Sequence, residues 1–163
     1  MKKLLKLFSL LIMTLVPSVA FGDVIDKLNE TGKFVKLNET LSKAGLVENL
    51  KGNGPFTVFA PLDDAFAAIS AQTYYGLLRE ENKDKLVKIL GRHVFAKKIT
   101  SSEIDGEIKL KAINGEEITI KKVNGIVYIN EAEVVTADVE VSNGVIHFIN
   151  RVLQPLQLSL IHI

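Results

Sequence analysis

An α+β domain, with an N-terminal helical layer followed by an antiparallel sheet, is the fold class that this sequence predicts. Three observations lead there. Between residues 23 and 95 apolar side chains recur mainly at helical spacing, and from Glu107 onward the period shortens to that of strands. Asn-Gly stands twice between β-type runs, at Asn114-Gly115 and Asn124-Gly125, which is the strongest short-range hairpin signal. Among the helices, a turn at Gly54-Pro55 opens Phe56-Thr57-Val58-Phe59, a run with the composition of a strand buried on both sides.

The totals set bounds on the rest. A chain of 163 residues with 47% hydrophobic and 24% charged residues suits one domain with a substantial core. The formal charge of +1 conceals an asymmetry, because Lys2, Lys3 and Lys6 belong to an N-terminal run without acids. The remaining 17 basic residues face 19 acidic ones, a balance that speaks against a nucleic-acid footprint. That run reads as a secretory signal peptide over residues 1–22: Lys2-Lys3, an apolar stretch from Leu4 to Val16, Pro17, then small residues at Ala20 and Gly22. It is shorter than the roughly 20 apolar residues of a membrane span. A secreted or periplasmic location is therefore expected. The sequence contains no cysteine, so stability must come from packing without disulfides. Leu158-Ser-Leu-Ile-His-Ile163 matches one reading frame of a sequencing-library transposon end and is read as a non-native scar. The domain is accordingly placed at 23–156 and the tail at 157–163.

In chain order, Val24, Ile25 and Leu28 mark a first short helix, and Phe34, Leu37, Leu41 and Ala44 a second that Gly45 terminates. Leu46, Val47 and Leu50 begin a third. Pro61 stops the strand that starts at Phe56, and Asp63-Asp64 are expected to cap a short helix carrying Phe66 and Ile69. Ala71–Leu78 continues as helix. Lys83–Phe95 is read as one amphipathic helix with Leu86, Ile89, Leu90, His93 and Val94 on its apolar face and Lys85, Lys88 and Arg92 on its solvated one. Thr100-Ser-Ser-Glu103 has the form of a capping box. Ile108–Ile113, Glu117–Val123 and Ile126–Ile129 make a three-stranded meander. Val134 to Val141 supplies one or two more strands before Asn143-Gly144 turns into the apolar run Val145–Leu153.

Few residues invite chemistry. His93 and His147 both fall on apolar faces, where a hydrogen-bonded structural histidine is the preferred reading. Ser142, His147 and Asp138 have the residue types of a triad, but they crowd one strand-turn-strand segment without a nucleophile elbow. No enzyme is expected, and no cofactor or metal. Tyr74-Tyr75 reads equally as an exposed contact or a buried pair. Lys109, Lys111, Lys121 and Lys122 give the meander a solvated basic face.

Two segments, Thr57-Val-Phe-Ala-Pro61 with Ala65-Phe66 and Val145-Ile-His-Phe-Ile-Asn-Arg-Val-Leu-Gln-Pro155, resemble the paired signatures of the fasciclin domain family. His93 stands where that family has a mid-chain histidine, and Asn130, Ala132, Val134 and Asp138 follow its pattern ahead of Asn143-Gly144. The resemblance spans Asp23 to Pro155 and implies a FAS1-like fold, a helical layer on a wedge-shaped β-sandwich. It also implies structural roles for Thr57, Phe59, Pro61, Phe66, His93, Asp138, Gly144, His147 and Pro155. Integrin-binding members use segments similar to Asp138-Val139 and Arg92-His93, which become the contact candidates. Four positions depart from the pattern: Leu62, Arg92, Val139 and Asn150. What the resemblance implies is an exported, non-enzymatic module for adhesion or protein contact at the cell envelope, with a protein or glycan partner. The alternative is a carrier of an apolar molecule such as a carotenoid or lipid.

Overall fold

The computed structural model describes residues 22–153. The segment read as a signal peptide, Pro155 and the tail lie outside the described residues. Three helices come first: α1 (Val24–Thr31), α2 (Val35–Ala44) and α3 (Val47–Leu50). Asp23 closes a capping box with Asp26 at the start of α1, and Gly32 and Gly45 end α1 and α2 in the left-handed region. Strand β1 (Phe56–Pro61) follows, then a 3-10 turn (Asp63–Ala68), α4 (Ala71–Leu77), α5 (Lys83–Gly91) and the two-residue β2 (Val94–Phe95). The second half is sheet: β3 (Glu107–Lys111), β4 (Glu117–Val123), β5 (Ile126–Ile129), β6 (Ala132–Val141) and β7 (Gly144–Ile149).

The strands form one seven-stranded sheet in the order β2-β1-β7-β6-β5-β4-β3. The expected meander is present, and Asn124 and Gly125 both adopt positive φ (53° and 83°) as a two-residue hairpin requires. Otherwise antiparallel, the sheet contains one parallel pair. β1 runs alongside β7 in continuous register from Phe56↔Gly144 to Pro61↔Ile149, joining the two halves of the chain.

Alternation along β1 and β7 serves two cores. Val58, Ala60, Ile146 and Phe148 face the helices, where Phe34 meets Phe148 edge-on at 4.9 Å. Phe59 and Ile149 face the opposite way, into a core lined by Phe95, Ile118, Ile120 and Ile129 on the curved sheet. Phe66 joins the helical core beside Ile146 and Phe148, but Phe59 does not, because it lies one residue out of phase. Where the two strands begin, their backbones nearly touch. A Cβ on Gly144 would collide with the carbonyl of Phe56, and one on Gly54 with that of Asn143.

Several sequence expectations need correction. Asp63-Asp64 do not cap their own turn, whose N-cap is Leu62 without a side-chain bond. Instead Asp63 Oδ1 accepts from Lys36 N–H (2.9 Å) and so caps α2 from across the fold. Helix α5 stops at Gly91, four residues early. Val94 is drawn into pairing with Val58, and its carbonyl accepts from Ile113 N–H (2.9 Å). The segment at Thr100 forms a 3-10 turn (Ser101–Glu103) but no capping box, since the Thr100 hydroxyl is bonded to that of Ser102. Gly144 is not a turn residue. It pairs with Val141 as the first residue of β7, leaving Ser142 and Asn143 at the corner.

Truncating Phe59 to Ala should empty the sheet core beneath β1 and cost about 3–5 kcal/mol. Urea titration of the variant checks this, and a midpoint equal to that of the unsubstituted chain would contradict the packing described.

Candidate interaction site

The residues singled out as chemical turn out to be tied to one another, and their ties define what surface remains. His93 follows the end of α5 and is 2% exposed. Its Nδ1 lies 2.8 Å from Ile89 O, a carbonyl that only accepts, so that nitrogen carries the proton and donates. Nε2 is then free to accept from Leu153 N–H at 2.9 Å. His147, 1% exposed on β7, holds the opposite tautomer. Its Nε2–H donates to Ile99 O (2.7 Å), and its Nδ1 accepts from Asp138 N–H (3.1 Å). The ring also stacks on Phe59, with centroids 4.9 Å apart. Burial pushes the His93 pKa down to about 4, with the neighbouring Arg92 charge adding to the effect and the Ile89 bond opposing it. Burial also lowers that of His147, against the Ile99 bond and the Asp138 charge, which favour its cation.

Asp138 owes its position to two irregularities in β6. Val134↔Ile149, Thr136↔Phe148 and Val139↔Ile146 leave one extra residue in each interval, and Asp138 adopts φ 60° at the second. The bulge aims its amide at His147 and its carboxylate outward, where Oδ1 accepts from Ser101 N–H (2.8 Å) and Oδ2 from the Ser101 hydroxyl. Burial raises the Asp138 pKa, but the Ser101 bonds and the Lys122 charge outweigh it and hold the carboxyl below the ordinary range. Thr57, fully buried, ties down the same connecting segment. Its hydroxyl donates to Lys97 O (2.5 Å) and accepts from Ile99 N–H (2.8 Å).

Arg92 does not lie on a solvated helix face. It is 3% exposed and bonded in fork geometry to Glu116 in the β3–β4 turn, Nε to Oε2 at 2.5 Å and Nη2 to Oε1 at 2.8 Å. That bonding leads the causes that hold Glu116 below its ordinary pKa. Of the contact candidates, then, Arg92 and His93 are interior. Val139 is half-buried against the helical core, and Asp138 is exposed with its carboxylate turned to Ser101. The triad types do not assemble. Both His147 nitrogens are bonded away from Ser142, which sits exposed at the corner beyond β6. Tyr74 and Tyr75 divide the two roles proposed for them, Tyr74 being buried and donating to Glu39 (2.6 Å) and Tyr75 being 62% exposed.

Sequence reasoning missed Asn143 as more than a turn residue. Its Oδ1 accepts from Val24 N–H, its Nδ2 donates to the carbonyls of Leu50 (2.7 Å) and Gly52 (2.9 Å), and its own carbonyl accepts from Phe56 N–H. One side chain thus joins α1, the end of α3 and the corner of β7. Only its place after a β-run marked it.

The open surface lies elsewhere. Beyond Tyr128↔Glu133 and Ile129↔Ala132, β5 and β6 part, leaving a groove of about 420 Å³. Ile126, Val127, Val135 and Ala137 border it, with Ser101, Lys122 and Glu133 as its polar elements. Ile126 and Val135 are 39% and 50% exposed, and Val123 at the hairpin end 47%.

Comparison with known proteins places this architecture. The family model for the Fasciclin domain matches residues 32–155. The chain belongs to the fasciclin domain family. The fold agrees: a solved domain pair from the insect cell adhesion molecule Fasciclin I superposes with a TM-score of 0.75 at 20% identity, covering 85% of this chain and 53% of that one. In sequence, this fasciclin domain is 51% identical over 128 residues to Protein sll1483 of Synechocystis, covering 78% of this chain and 69% of the relative. It is 36% identical over 134 residues to the pig transforming growth factor-beta-induced protein ig-h3, covering 82% of this chain but 19% of that protein. The chain therefore corresponds to about a fifth of that animal relative. Among the described residues no helix is long and apolar enough to cross a membrane.

Two predictions follow from the buried polar groups. His93 in the fold takes up protons only near pH 4, whereas in the unfolded chain it does so near its ordinary value of 6.5, so between those limits the unfolded state binds more protons. Stability is complete above pH 6.5 and falls as the medium is acidified, by about 1.4 kcal/mol per pH unit from this group. His147 acts in the same direction. Urea midpoints measured from neutral to mildly acidic pH check the slope. Substituting Glu116 by Ala strands the Arg92 charge and should cost about 2–3 kcal/mol, whereas Glu117→Ala on the exposed start of β4 should change little.

Proposed function

We propose that this fasciclin domain is an exported, non-enzymatic binding module that makes adhesive or protein–protein contacts at the cell envelope. The observation that carries the reading is the distribution of its side chains. His93, His147, Arg92 and Asp138 are engaged in internal bonds, while Val123, Ile126 and Val135 expose apolar surface around the groove where β5 and β6 part. Recognition then rests on shape and apolar contact at a sheet margin, with Lys122 and Glu133 supplying polar selectivity around it. Family membership supports the assignment, as does the likeness to a solved pair of domains from an adhesion molecule. The N-terminal leader read from the sequence supplies the route to a secreted or periplasmic location. Asp138-Val139 borders the same margin and remains a contact candidate on its exposed side. The apolar-carrier alternative has no comparable support, because neither this groove nor the more polar one around Asn53 and Ser142 is an enclosed apolar cavity.

The test is retention of the purified protein on envelope fractions and on beads coated with the same domain. Val135→Asp should lower retention by at least about tenfold while leaving the melting curve unchanged, since Val135 is half exposed. Equal retention by the variant and the unsubstituted protein would remove the groove margin from the contact.

A further inference from the structure

After β7 the chain passes between the two cores. Val152 packs against the helical core, and Leu153, 3% exposed, fills the sheet core alongside Phe95, Ile118 and Ile149. Its backbone is gripped on both polar atoms by consecutive residues from the end of α5. His93 Nε2 accepts from Leu153 N–H at 2.9 Å, and Arg92 Nη1 donates to Leu153 O at 3.3 Å. Glu116 holds the guanidinium, and Ile89 O holds the other imidazole nitrogen.

We propose that this Arg92–His93 clasp is an acid-sensitive latch, in which proton uptake by His93 releases the backbone at Leu153 and uncovers the apolar end of the sheet core beneath it. The geometry makes one bond vulnerable and spares the other. With Nδ1 already donating to Ile89 O, an added proton must go to Nε2, the atom that accepts from Leu153. Nε2 then becomes a donor pointed at a donor, while the Ile89 bond survives. The charges around the ring add to the effect. Arg92 faces it from its own turn, and Glu116 in the β3–β4 turn is already bonded to Arg92, so a second buried cation would share one carboxylate. Swinging Leu153 outward returns the imidazolium to water. Burial keeps His93 neutral to about pH 4 in the closed state, and exposure restores its ordinary value near 6.5. Opening is therefore favoured about tenfold more for each pH unit between those limits.

Amide hydrogen exchange on the full chain, followed by NMR from neutral pH to about pH 4.5, tests the latch. Leu153 N–H reports the clasp. Leu62 N–H, bonded to Ile149 O at 3.1 Å across the parallel strand pair, reports opening of the sheet as a whole. The expected result is Leu153 protection that falls about tenfold per pH unit below 6.5 and stands at least about tenfold under that of Leu62 at pH 5. His93→Gln keeps an acceptor for Leu153 without a titrating group, and it should flatten the fall. Equal protection of Leu153 and Leu62 at pH 5, or an undiminished fall in the Gln variant, would overturn the proposal. If the Gln variant fails to fold, the comparison of the two amides in the unsubstituted chain decides alone.

Discussion

The parallel pairing of β1 with β7 is the contact on which the rest of this domain depends. It joins strands more than eighty residues apart in sequence, and each is buried on both faces. Parallel strands flanked by structure on both sides tend toward continuous apolar runs. Phe56–Pro61 and Gly144–Ile149 follow that rule, with Thr57 and His147 as the polar exceptions. The close approach of the strand ends leaves no room for a Cβ at Gly144 or Gly54. Once the pair forms, one face receives the helices and the other receives the curled meander, so two cores are built on a single seam.

The polar exceptions are spent on the connections that cannot pair as strands. Thr57 and His147 hold the segment from Lys97 to Ile99, Asp138 holds Ser101, and His93 with Arg92 holds Leu153. The bonds to Ile99 and Leu153 give buried backbone groups partners that the sheet does not provide, and an unmet backbone group there would cost free energy. Among the described residues, no buried side-chain nitrogen or oxygen is left without a partner. The same bonding explains why histidines and an arginine can be interior. The histidines are neutral, in opposite tautomers set by which nitrogen meets a carbonyl, and the arginine is matched by a carboxylate of complementary shape. Groups occupied in this way are not available to substrate or partner. In the proposed function, recognition falls to the margins where apolar side chains face water.

What could be read ahead of the structure divides along the range of the interaction. The hairpin at Asn124-Gly125 was legible because positive φ at a two-residue turn is a local demand, and the one at Asn114-Gly115 because Gly115 takes the positive φ of its wider turn. The first helices were legible from spacing and, for the second, from Gly45, again within one turn of chain. The end of α5 was not. Val94 continues the apolar spacing of the helix, and only its pairing with Val58 shows that it belongs to a strand. Arg92 was misplaced for the same reason, since its partner Glu116 lies 24 residues away. Asp63 carried a correct cap signal for the wrong helix: the amide it meets, Lys36 N–H, arrives from 27 residues upstream.

By itself the sequence determined the fold class and, through its two signature segments, the family. The fold class follows from periodicity and turn chemistry, which act over a few residues, and the family from the resemblance of those two segments. Tertiary structure alone decided that β1 and β7 run parallel, that Phe59 and Phe66 serve different cores, and that Asn143 ties three elements together. It also decided which side chains remain in water around the β5–β6 groove. These depend on which distant segments meet and in what register, and a shift of one residue along a strand reverses every side chain it carries.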